Sequence, residues 1–102
     1  MTFHEFENTL TQSSPPPELS SLLRALWFDA RGDWERAHQL AQDVNTLAGS
    51  WIHAYLHRKE GDQFNAQYWY NRAKQKMPDY ALEKEWAEIA EDFINKETLP
   101  LS

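Results

Sequence analysis

Two Gly-Asp dipeptides, Gly32-Asp33 and Gly61-Asp62, stand 29 residues apart in a chain with only three glycines, and they divide it more sharply than any other feature. Glycine accepts the left-handed conformation that closes a helix, and an aspartate directly after it can accept hydrogen bonds from the free amides of the next one. Each dipeptide therefore stops one helix and starts another. Sliding the sequence by the same 29 residues also sets Ala25 on Ala54 and Ala37 on Ala66. Small residues at matched distances on either side of a corner are what two closely approaching helices need, so the shift predicts two copies of one helix-turn-helix unit.

Apolar spacing fills in the rods between the corners. From Pro17, residues Leu19, Leu22, Leu23, Leu26, Trp27 and Ala30 form one stripe at steps of three and four, and the prolines at 15–17 are pre-set for a first helical turn. Trp34, Ala37, Ala41 and Val44 mark the inner face of the second helix. Asn45-Thr46 opens a third with the stripe Ala48, Trp51, Ile52, Tyr55 and Leu56, and a fourth runs from about Gln63 to Lys76 around Ala66, Trp69, Tyr70 and Ala73. After Pro78-Asp79, Leu82, Trp86, Ile89, Ala90 and Phe93 define a closing helix that turns Glu85, Glu88, Glu91 and Asp92 toward water and frays before Pro100. Ahead of the prolines, Thr2 with Glu5 has the form of a capping box, and Phe3, Phe6 and Leu10 follow at helical spacing. No stretch alternates as a half-buried strand does. The expectation is a single all-α domain. It comprises a short N-terminal helix with a proline linker over 1–16, helical hairpins over 17–46 and 47–78, and a C-terminal capping helix over 79–97.

Composition narrows the function classes. With no cysteine among its 102 residues, the chain has no disulfide framework and no thiolate chemistry. A net charge of −6 argues against a general nucleic-acid binder, which needs lysines and arginines to displace counterions from phosphates. No apolar run approaches the roughly 18 residues of a membrane span, and the first residues lack the basic-then-apolar order of a signal peptide, so a cytoplasmic protein without membrane association is expected.

The second unit, with Ala54, Gly61-Asp62, Ala66, Tyr70, Ala73 and the closing Pro78, resembles a tetratricopeptide repeat over residues 47–78; the likeness is weaker over 18–46. The strings WIHAYLHRKEGD at 51–62 and NAQYWYNRA at 65–73 are also similar to a set of small bacterial proteins. The tetratricopeptide resemblance implies a stacked helical array in which the first helix of each hairpin lines a concave binding surface.

Helical spacing places Trp51, Tyr55, Arg58 and Lys59 in one sector of that helix, and the matching sector of the first unit offers Asp29. Residues 51–78 carry five basic residues against two acids, the chain's only positive segment. This sector, with an exposed Tyr68 beside Arg72, is the expected site for a protein or peptide partner, the aromatics giving apolar contact and the cations meeting a carboxylate. Arg58 and Lys59 resemble part of the clamp with which some tetratricopeptide proteins hold a terminal carboxylate. Trp51 and Tyr55 also read as core residues packed on the leading or closing helix, the commoner role of an aromatic stripe at helical spacing, and Arg58 as a buried or half-buried partner of Glu60 or Asp29. Homodimerisation is left open.

The alternative function rests on histidine. His53 and His57 lie four apart on one helix face, as a metal-binding pair does, with His38, Asp29 and Glu60 as further contributors to a metal or acid-base site. There is no HExxH pattern, no Gly-x-Ser-x-Gly elbow and no glycine-rich loop. The sequence thus favours a noncatalytic interaction module without a cofactor, ahead of a small-ligand or metal-binding protein or an enzyme.

Overall fold

Both Gly-Asp corners close as Schellman motifs. In the computed structural model, which describes residues 1–98, Gly32 and Gly61 take φ values of 83° and 87°, in the left-handed region that glycine enters without strain. The bond pattern repeats with the sequence. Gly32 N donates to Asp29 O and Asp33 N to Phe28 O at 3.0 and 2.9 Å; 29 residues later, Gly61 N donates to Arg58 O and Asp62 N to His57 O at 3.1 and 2.9 Å. Each aspartate then caps the next helix, Asp33 accepting from Arg36 N and Asp62 from Asn65 N. One residue ends one helix and begins another.

The elements run α1 (Phe3–Asn8), a 3₁₀ turn (Thr9–Thr11), α2 (Ser21–Ala30), α3 (Trp34–Gln42), α4 (Leu47–Lys59), α5 (Gln63–Ala73) and α6 (Leu82–Thr98). The class is all-α, with no strand among the described residues. Thr2 and Glu5 form the reciprocal capping box, and Thr46 caps α4 by accepting from Gly49 N. Several boundaries differ from the sequence reading, the closing helix among them, which starts at Leu82 and not at 79. Helix α2 starts at Ser21 and not at Pro17, because Ser20 supplies the cap and Pro16 O is spent on a separate turn closed by Leu19 N. Helix α3 stops before Val44, and α5 ends at Ala73 because Lys74 turns left-handed at φ 59°. Ala30, expected inward, is exposed. The fraying expected before Pro100 lies beyond the described residues.

Packing follows the small residues. Ala25, Ala37, Ala54 and Ala66, the four alanines matched by the 29-residue shift, are all fully buried where α2 meets α3 and α4 meets α5. Helix α3 joins the two pairs by packing on α4, and α6 lies across α2 and α4. Trp86 of α6 is buried with its indole N–H donating to Leu26 O at 3.0 Å, and Phe6 of α1 stacks on that indole at 5.7 Å. Trp27 Nε1 bonds Thr9 O, and Arg31 bonds the carbonyls of Leu10 and Gln12, so the N-terminal segment is tied to α2 through its backbone. The closing helix therefore covers the same faces of α2 and α4 that the sequence offered to a partner.

Candidate functional site

Of the six residues expected to meet a partner, Tyr55 and Asp29 are buried, Trp51 and Arg58 are half-buried, and Lys59 and Tyr68 reach solvent. The reason is α6, whose Glu85 is not turned toward water. That carboxylate is fully buried and gathers much of the sector around itself. It accepts from Arg58 Nη1 at 2.9 Å, from Tyr70 OH at 2.8 and 2.6 Å, and from Trp51 Nε1 at 3.2 Å, while Arg58 Nη2 also reaches Tyr80 O. Arg58 thus pairs with Glu85, not with Glu60 or Asp29. Burial, reinforced by the neighbouring Glu85, holds the Tyr70 hydroxyl above the usual phenol range, so it stays a donor. Trp51 and Tyr70 are parts of the fold.

Asp29 and Lys59 make the second internal pair, at 2.9 Å, and Tyr55 OH donates to the other Asp29 oxygen at 2.8 Å. Burial first, then the Asp29 carboxylate, pushes the Tyr55 hydroxyl far up as well. These three residues line an open cleft of about 410 Å³. The N-terminal segment contributes Phe3, Glu7 and Leu10 to the lining, α6 contributes Leu82, Glu83, Trp86 and Ala87, and α2 adds Ala30. Three carboxylates against one ammonium leave the lining net negative. The sequence reading placed Asp29, Tyr55 and Lys59 together but supplied neither the apolar lining nor the sign of the charge, because the positions of α1 and α6 beside them were not known.

The three histidines also converge. Helix α3 brings His38 beside His53 and His57 of α4, with ring centroids 4.5 and 5.2 Å away, and the latter two rings lie 4.9 Å apart. One ligating atom from each lies within 4.8 Å of the others. Indoles flank the set, Trp69 stacked on His53 at 3.9 Å and Trp34 on His38 at 4.8 Å. Trp34 is held by its N–H to Leu56 O at 2.9 Å, and His57 Nδ1 is 2.6 Å from Glu60 Oε1. Asp29, grouped with these histidines in the sequence, sits instead in the cleft.

Burial, with repulsion from the other two imidazoles, lowers His53 from 6.5 to about 4, and burial likewise lowers His38. The unfolded chain therefore binds a proton at His53 that the folded chain refuses between those values. Metal-free protein is expected to lose on the order of 2 kcal/mol of stability as pH falls from 6.5 to about 4, with no further loss from this group below that. Denaturant midpoints measured across the range check this: His53→Asn should flatten the slope, and an unchanged slope would refute the assignment.

No family model matches the chain, and neither a curated protein nor a solved structure matches it.

Proposed function

We propose that the chain is a noncatalytic interaction module that receives, in the Asp29–Tyr55–Lys59 cleft, a peptide segment presenting an apolar side chain next to a positive group. The observation that carries this reading is the combination of apolar walls with a net-negative lining around a buried, hydrogen-bonded carboxylate. The charge favours a basic partner over the carboxylate-bearing one suggested by the sequence, since Arg58 and Lys59 are both already paired inside the fold. A cytoplasmic setting and the tetratricopeptide-like character of the hairpins belong to the same proposal. Selection of the full chain against a random peptide library tests it. Enriched peptides should pair a bulky apolar residue with Lys or Arg. Ala30→Trp, at an exposed rim position, should weaken them by about tenfold or more, a loss of roughly 1.4 kcal/mol. Peptides without that pattern, or equal binding by the variant, would overturn the reading.

Self-association is a second reading, favoured by α5, where Phe64 is 87% exposed and Tyr68, one turn on, is 50% exposed beneath the Arg72 guanidinium. Two aromatics on one uncovered face suit a contact between copies, and mass measured against concentration tests it.

A further inference from the structure

We propose that His38, His53 and His57 form a binding site for a divalent transition-metal ion, with zinc the best fit to the donor set. Nothing in the peptide-binding reading uses these residues, and the two sites share no side chain.

Tetrahedral zinc holds imidazole nitrogens at about 2.0–2.1 Å, which sets neighbouring ligand atoms about 3.4 Å apart. The three imidazoles already bring one nitrogen each within 4.8 Å of the others, so closing on an ion asks the rings to draw together by about 1.4 Å at most, with the near-parallel His53 and His57 rings turning until their lone pairs converge. The supply of ligands comes from rigid elements. His53 and His57 are spaced i,i+4 on α4, and His38 is fixed opposite them by the packing of α3 on α4. Such preorganisation limits the ordering cost of binding.

The Glu60 carboxylate takes His57 Nδ1, which leaves Nε2 of that ring as the ligating atom; a carboxylate behind a metal-bound histidine is the usual way its tautomer and angle are set. Glu60 is therefore a positioning residue. Trp34 and Trp69 pack on the faces of His38 and His53, so two rings are flanked by indoles and the third by a carboxylate. Three imidazoles at a partly exposed site leave a fourth tetrahedral position for water or an incoming ligand. Neutral nitrogen donors with no thiolate suit zinc, copper or nickel and disfavour magnesium and calcium.

The test uses the full chain, stripped with chelator and titrated with zinc chloride. Calorimetry should give one ion per chain. At a hundredfold excess over the dissociation constant, the melting temperature should rise by about 10 °C or more. Magnesium should do nothing. His38→Ala and His57→Ala should each weaken zinc by more than about 100-fold, Glu60→Gln by about tenfold or more, and His4→Ala, on α1, should change nothing. Cobalt(II) on the wild-type chain gives a readout that survives if a variant misfolds. It should produce the visible absorption of a tetrahedral nitrogen site and quench tryptophan emission through Trp34 and Trp69. Absence of that band, zinc affinity weaker than about 1 mM, or an equal melting shift in folded His38→Ala and His57→Ala would each overturn the proposal.

Discussion

Replacing Glu85 with alanine is expected to cost about 3–5 kcal/mol, enough to lower the melting temperature by roughly 15–25 °C in a domain of this size. The carboxylate has no contact with water and accepts from Arg58, Tyr70 and Trp51. Its own charge is compensated only because those donors converge. Removing it leaves the Arg58 guanidinium, 16% exposed, without its carboxylate, and leaves the buried Tyr70 hydroxyl without its acceptor. Those stranded groups, more than the lost contacts, set the size of the effect. Glu85→Gln keeps the shape and one acceptor oxygen and should cost less. Glu91→Ala, on the exposed side of the same helix, should stay within about 0.5 kcal/mol of wild type. Chemical denaturation of the three variants gives the ranking. Equal stability of Glu85→Ala and Glu91→Ala would mean that the α6 carboxylate does not hold the closing helix.

Gly49→Ala should destabilise by about 3 kcal/mol, the upper end of ordinary overpacking. Propensity alone gives the opposite sign, since alanine gains nearly 1 kcal/mol over glycine inside a helix. Sterics decide. A Cβ at this position would stand 2.1 Å from Val44 O and 3.1 Å from Val44 C, and both obstacles are main-chain atoms of the α3–α4 connection, which cannot rotate aside. Relief requires moving the first turn of α4, which carries the Thr46 cap on Gly49 N. A thermal melt of the variant checks the sign directly; a gain in stability would show that the connection yields.

The corners, the helix order and the repeated alanines were legible because they depend on local chemistry: a left-handed glycine, a capping aspartate, a small residue at a crossing. Glu85 shows where that legibility stopped. It lies three residues after Leu82 and three before Glu88, but also four before Ile89, so the spacing put it on the buried stripe and only its charge argued for water. The missing information was nonlocal, namely Arg58 and Tyr70 converging from α4 and α5 on one point of α6. The same limit governs the cleft, where Asp29, Tyr55 and Lys59 were recognised as a cluster while the apolar lining came from α1 and α6. For the histidines, the i,i+4 pair was visible at once. The third member depended on how α3 meets α4, which no spacing within a single helix records.

Because each aspartate at a corner serves two helices, no spare residue separates α2 from α3 or α4 from α5. An α-helix advances by about 100° per residue, so adding or deleting a single amino acid at 32–33 would swing every α3 side chain about a quarter-turn around its axis. Ala37 would leave the crossing and His38 would point away from its two companions. The joint acts as a phase lock, and length changes there should be tolerated far less than in the stretch between Thr11 and Ser20.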